Sequence, residues 1–145
     1  MRMSTKGRYG LRVMLELAKH HGHGPVSVDL IARNQGISQN YIHVLVQGLK
    51  AAGLVRTARG PGGGYELARP PSGVTALDVV RALEGDAELV ECVQDVATCP
   101  RGETCVVREL WGEVGAAIKR VLGVTLEQLV ERDRMRAEEV VTYFI

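Results

Sequence analysis

No stretch of this chain is apolar for long enough to cross a membrane as a helix, which needs about 20 consecutive apolar residues. Its opening residues, Met1-Arg2-Met3-Ser4-Thr5-Lys6-Gly7-Arg8, lack the apolar core of a signal peptide. Both absences lead to the expectation of a cytoplasmic protein with no membrane partner. Cysteine is scarce: Cys92, Cys99 and Cys105 are all there is. An odd number in a reducing compartment argues against a structural disulfide framework. No Ser-His-Asp set, phosphate loop or zinc-hydrolase motif is visible. The histidines sit at 20, 21, 23 and 43, far in sequence from the cysteines. The chain is therefore not read as an enzyme. There are no internal repeats.

Net charge is also low, +1 over 145 residues, but its distribution is uneven. Residues 1–69 carry ten lysines and arginines against three acids, whereas residues 70–145 carry eight against fourteen. A basic first half suits a polyanion, since phosphate contacts supply most sequence-independent affinity for nucleic acid. The acidic second half would repel DNA, which assigns it to assembly or sensing.

Helical spacing and caps organise the first half. Ser4 caps a helix to about His20, with Leu11, Met14, Leu15 and Ala18 on one face. The loop His20-His21-Gly22-His23-Gly24-Pro25 ends it. Its three histidines read as solvated, on the expectation that no carboxylate or cysteine completes a metal site with them. Ser27 caps a short helix over 28–34 that buries Leu30 and Ile31, Gln35-Gly36-Ile37 turns, and Ser38 caps a second helix to about Ala52. Gly53 then suits the left-handed position after the helix. Two short helices joined by a glycine-containing turn form a helix-turn-helix. Ile42, Leu45, Val46 and Leu49 face the core, and Gln39, Asn40 and His43 lie at the exposed N-terminal end. There they either meet base edges or form a polar solvent face.

Next comes Arg56-Thr57-Ala58-Arg59-Gly60-Pro61-Gly62-Gly63-Gly64-Tyr65. A glycine-rich loop can cradle a phosphate, but that use needs a strand before it and a helix N-terminus after it. This loop follows a helix and leads into a strand-like Tyr65-Glu66-Leu67. It reads as the turn of a β-hairpin between 54–56 and 65–67, a wing carrying arginine beside the recognition helix, with an ordinary glycine turn as the alternative. Pro70-Pro71-Ser72-Gly73 is a linker. Thr75 caps a helix over 76–83, ended by Gly85. Residues 86–104 look irregular. A long helix over about 105–122 has the apolar stripe Val106, Leu110, Val114, Ala117, Ile118 and Val121. Gly112, Gly115, Ala116 and Ala117 let a second copy of the helix approach closely, as a two-fold DNA-binding dimer requires. Thr125 caps a last amphipathic helix through about Arg136. The fold expected is mainly α with a small β-wing. Residues 1–70 form a winged helix-turn-helix domain, and 71–145 hold a sensing loop (86–104) and dimerisation helices.

The segments Met1-Arg2-Met3-Ser4-Thr5-Lys6-Gly7-Arg8-Tyr9-Gly10, Gln35-Gly36-Ile37-Ser38, Gly53-Leu54-Val55 and Arg59-Gly60-Pro61-Gly62-Gly63-Gly64-Tyr65 resemble the Rrf-type winged-helix regulators. The resemblance covers nearly the whole chain. It implies a homodimeric transcriptional repressor of iron–sulfur or cysteine metabolism bound to a double-stranded DNA operator, with long helices crossing at the dimer interface. It also implies that Ser38, Gln39, Asn40, Tyr41 and His43 meet the major groove. Arg59, with Gly60, Gly62 and Gly63 in its loop, would reach the minor groove. His43 stands where an iron–sulfur regulator of the family has a glutamate that shapes site choice, so that regulator's operator does not carry over.

Cys92-x6-Cys99-x5-Cys105 resembles the ligand triad of cluster-binding members, with one residue more in the first gap. The resemblance implies an iron–sulfur cluster, 2Fe-2S in type, and thiolates are its usual ligands. Idle cysteines and reversible thiol oxidation are the alternatives. The chain departs from the family at the fourth ligand. Arg108 stands where one member has a histidine, and Arg8 stands where another takes an acidic residue from the partner subunit. Arginine stays protonated and ligates very poorly. Glu103, Glu109, Asp95 or a small molecule remain open.

The chain ends Val140-Val141-Thr142-Tyr143-Phe144-Ile145. This apolar tail either packs on its own dimer or, as the resemblance to a cysteine-metabolism repressor implies, offers Tyr143, Phe144 and Ile145 to cysteine synthase. Of the other classes of function, an iron–sulfur carrier is opposed by the basic first half and the wing.

Overall fold

The computed structural model describes residues 3–86 and 90–144. Helix α1 (Thr5–Lys19) starts where the Ser4 side chain accepts a hydrogen bond from the Lys6 N–H. Helix α2 (Val28–Gln35) is capped by Ser27 and stops at Gly36, whose φ of 62° is left-handed. Helix α3 (Gln39–Ala51) is capped by Ser38. Strands β1 (Val55–Ala58) and β2 (Gly64–Leu67) pair antiparallel, with Val55 opposite Leu67 and Thr57 opposite Tyr65. After a 3₁₀ turn at Pro71–Gly73 come α4 (Ala76–Glu84), a single-turn α5 (Glu91–Gln94) and a 3₁₀ turn at Val96–Thr98. Two long helices follow, α6 (Val106–Leu122) and α7 (Leu126–Phe144). The fold is mainly α with one small wing.

The core gathers one apolar face from each early element. Met14, Leu17, Ile31, Ile42, Leu45 and Leu49 are almost wholly buried, each contributing about 1.5–3 kcal/mol of transfer free energy. Val74, Val79 and Leu126 join the same cluster. The start of α4 is tied to the start of α7 by Ala76 N–H to Val124 O at 2.9 Å and Leu126 N–H to Val74 O at 2.9 Å. Two glycines let α1, α3 and α4 approach one another. A Cβ on Gly10 would stand 2.1 Å from Leu83 Cδ1, and one on Gly48 would stand 3.0 Å from Leu83 Cδ2.

Several expectations need correction. Leu30 is only half-buried, because α2 turns Ile31 rather than Leu30 fully inward. The wing strands reach nearer the turn than predicted, the first at 55–58 rather than 54–56 and the second from 64 rather than 65, since pairing extends to match Ala58 with Gly64. Residues 86–104 are not wholly irregular, for α5 and a 3₁₀ turn lie within them. Helix α7 does not stop near Arg136 but runs to Phe144. Arg134 explains the extension, for it pairs with both Glu131 and Glu138 along one face, and such spacings support an exposed helix. Its start is also secured, with Thr125 Oγ1 accepting from Gln128 N–H and Gln128 Oε1 accepting from Thr125 N–H.

One charged side chain lies inside. Glu16 on α1 is 2% exposed. Its Oε1 accepts from Asn34 Nδ2 at 2.7 Å, and its Oε2 accepts from Gln35 Nε2 at 2.7 Å. Arg12, one turn earlier, donates to the Gln35 side chain at 3.2 Å and to its carbonyl. These bonds hold the C-terminal end of α2 against α1. Glu16→Ala removes the shared acceptor of two amides, one on exposed Asn34 and one on half-buried Gln35, at a cost of about 0.5–1.5 kcal/mol per lost bond. It is expected to lower unfolding free energy by about 1–3 kcal/mol, read as a lower denaturant midpoint at unchanged slope.

Candidate nucleic-acid interface

Helix α3 and the wing form one exposed surface. Asn40, His43, Val44 and Gln47 recur at helical spacing on the face of α3 away from the core, and all are exposed. Gln39 begins the helix and donates to Asp29 on α2 at 3.4 Å, while Asp29 also pairs with Arg33 at 3.0 Å. Ser38 Oγ accepts from Tyr41 N–H. Tyr41 is half-buried, with its hydroxyl 2.9 Å from Thr5 Oγ1 and its ring edge-on to Tyr9 at 6.0 Å. Ser38 and Tyr41 thus set the start of α3 against α1. Arg8 and Arg12 lie over the Tyr9 ring at 5.7 and 5.4 Å, which brings positive charge beside the same end of α3.

The wing is fixed to the body at its base. Val26 N–H donates to Tyr65 O at 2.8 Å and Tyr65 N–H to Val26 O at 2.9 Å, so the residue before α2 extends the sheet by one pair. A Cβ at position 64 would stand 2.1 Å from Val26 O, so this close approach requires glycine. Across the strands Arg56 Nε donates to Glu66 at 2.9 Å. Arg59, Gly60, Gly62 and Gly63 make the tip. Gly60 and Gly62 have φ of 93° and 73°, which a side chain would disfavour. Arg59 is exposed. Unlike Arg56, it has no ion-pair partner among the described residues.

Helix α3 and the wing are joined directly. His43 Nδ1 lies 2.7 Å from the Tyr65 hydroxyl, with the rings edge-on at 6.0 Å. Sequence reasoning missed this link, together with Val44, Gln47 and the Thr5–Tyr41 contact. The helical period from Asn40 pointed to Val44 and Gln47, but nothing in the sequence signalled a contact spanning 22 residues.

The cysteines are close in sequence but differently placed. Cys92 is on α5, Cys99 follows the 3₁₀ turn and Cys105 caps α6. All three are free and half-buried. Among the described residues no three of histidine, cysteine, aspartate and glutamate converge as a metal site. The donor types fit an iron–sulfur cluster, whereas their present spacing does not gather them. Arg108 Nε donates to the Cys92 carbonyl at 2.7 Å, so it ties α5 to the start of α6. Asp95 is engaged too, accepting from Ala97 N–H at 3.0 Å. The loop histidines bond locally, His20 Nδ1 to Glu16 O and His23 Nδ1 to His21 O.

The second half leaves apolar surface uncovered. On α6 Val106 and Val121 are 74% and 67% exposed and Leu110 is 52% exposed, whereas Val114, Ala117 and Ile118 of the predicted stripe are half-buried. Tyr143 and Phe144 end α7 almost fully exposed, and Ile145 lies outside the described residues. No helix among the described residues is long and apolar enough to cross a membrane.

Comparison with known proteins agrees with this geometry. The HTH-type transcriptional regulator CymR of Bacillus subtilis is 46% identical over 130 residues, covering 89% of either chain. The HTH-type transcriptional regulator IscR of Xenorhabdus nematophila is 36% identical over 136 residues, 93% of this chain and 82% of that one. The solved structure of CymR, the global cysteine regulator of B. subtilis, superposes with a TM-score of 0.77 at 44% identity, covering 91% of this chain and 98% of that one. Residues 3–132 match the Rrf2 family, described as iron-dependent transcriptional regulators. With a helix-turn-helix, a braced wing and relatives alike over nearly their whole length, this chain belongs to the Rrf2 family of winged-helix transcriptional regulators.

Proposed function

We propose that this protein is a cytoplasmic, homodimeric repressor that binds a double-stranded DNA operator and controls genes of iron–sulfur or cysteine metabolism. The observation that carries this reading is the single surface formed by the exposed face of α3 and the wing, with unpaired Arg59 at its tip. In this reading Gln39, Asn40 and His43 meet base edges in the major groove, while Ser38 and Tyr41 hold the helix start at the backbone. Arg59 enters the minor groove, and Gly60, Gly62 and Gly63 let the loop backbone come close. Residues 71–145 serve assembly and sensing. The uncovered apolar face of α6 supports pairing with a second copy.

The input we assign first is an iron–sulfur cluster, of 2Fe-2S type, held by Cys92, Cys99 and Cys105. Such a group would supply a one-electron centre whose presence reports iron and sulfide supply. The chain's own part is to present three free thiols within one short loop joined to the dimerisation helix. The fourth ligand is left to Glu103, Glu109, Asp95 or a small molecule, since Arg108 stays protonated and binds the Cys92 carbonyl. The likeness to CymR favours a second reading without a cluster. There the thiols are oxidised reversibly, or cysteine synthase grips Tyr143, Phe144 and Ile145.

On strictly anaerobic, untagged protein, visible charge-transfer bands with stoichiometric iron and sulfide are the expected result. Colourless, iron-free protein that still binds DNA transfers the input to the second reading. Arg59→Ala is expected to weaken operator binding by about 1–3 kcal/mol while leaving the melting temperature in place. Fluorescence anisotropy on operator and random duplexes checks this, and a variant matching wild type on both removes Arg59 from the interface.

A further inference from the structure

The contact between His43 and Tyr65 constrains more than position. A neutral imidazole carries one N–H and one acceptor nitrogen, and the bond made by one ring nitrogen decides the state of the other. Here Nδ1 is 2.7 Å from a phenol hydroxyl. A phenol O–H is a good donor, and an unprotonated imidazole nitrogen is a better acceptor than a phenol oxygen. The favoured arrangement has the Tyr65 O–H donating to Nδ1, which leaves the proton on Nε2. If the ring is instead fully protonated, Nδ1 donates to the Tyr65 oxygen and Nε2 still carries hydrogen. In both charge states Nε2 is a donor and not an acceptor. His43 is exposed on the recognition face, and Tyr65 is held by its own backbone pairing to Val26, so the ring is fixed from the wing side.

We propose that Tyr65 is a positioning residue for base recognition: its hydroxyl fixes His43 as an Nε2–H donor that selects an acceptor-bearing base and rejects cytosine. In the major groove guanine offers two acceptors, N7 and O6, adenine offers N7 and thymine offers O4, whereas cytosine offers only its amino donor. Guanine is the first choice, because either of its acceptors can take the bond. Without the tyrosine hydroxyl, neutral His43 can also place its proton on Nδ1, and Nε2 then becomes able to accept from cytosine.

This inference rests on the reading of α3 as a recognition helix. The test is selection from a random-sequence duplex library by full-length wild type, His43→Ala and Tyr65→Phe. His43→Ala marks the position read by His43 as the one whose preference disappears. At that position wild type is expected to disfavour cytosine roughly ten-fold. Tyr65→Phe, which keeps the ring, is expected to reduce this to about two-fold and to leave the other positions unchanged. Cytosine enriched there by wild type, no position altered by His43→Ala, or a Tyr65→Phe pattern identical to wild type overturns the inference while sequence-specific binding stands. If wild type enriches no sequence at all, the proposed function itself falls. Long-range nitrogen–proton NMR of the imidazole gives an independent reading in the free protein. It should show Nδ1 unprotonated in neutral His43, and a proton found on Nδ1 refutes the assignment.

Discussion

A carboxylate buried in the first helix fixes the geometry on which the exposed surface of α3 and the wing depends. Removing a charge from water is costly unless hydrogen bonds replace its hydration. Glu16 meets that demand by taking one bond from Asn34 and another from Gln35, the last two residues of α2. The arrangement is directional in a way that apolar packing is not. Leucines and isoleucines tolerate a small rotation of one helix over another, whereas a carboxylate with two assigned donors does not. Since Gly36 and Ile37 turn directly from α2 into α3, the orientation of α3 is set in part by this polar contact on the opposite side of the motif.

Three further contacts complete the frame, and each joins elements distant in sequence. Thr5 and Tyr9 meet Tyr41 at the start of α3. Val26 pairs with Tyr65 at the base of the wing. Tyr65 then reaches His43. Wing and α3 are therefore two faces of one braced unit, with only the turn from Arg59 to Gly63 of the wing left free of strand pairing. A surface preorganised in this way loses less conformational entropy on binding than a mobile hairpin would.

Much of this was legible in the sequence where the signal is local. Ser4, Ser27, Ser38 and Thr75 each cap the helix that their position announced, and Ile42, Leu45, Val46 and Leu49 are buried as their period required. Failures came where a distant partner decides the outcome. Glu16 looks like any surface acid in a helix until Asn34 and Gln35 are brought beside it. Gly10 and Gly48 carry no local sign of their use, yet they are where Leu83 must fit. The last helix outruns its expected end near Arg136, with ion pairs around Arg134 supporting it across that point. For the candidate site, residue types and exposure were readable, but the hydrogen-bond state of His43 required the tyrosine across the wing.

The same extension of α7 changes the mechanical character of the C-terminus. The helix is anchored near its start by Leu126, Leu129 and Val130 and by the Lys19–Asp133 ion pair at 2.6 Å. Beyond Asp133 it projects as an outrigger about 16 Å long, at about 1.5 Å per residue. A flexible tether would let a bound partner wander through a large volume and leave the rest of the protein unaffected. A helical extension instead presents Tyr143 and Phe144 at a place and in a direction set by where α7 is anchored on α1.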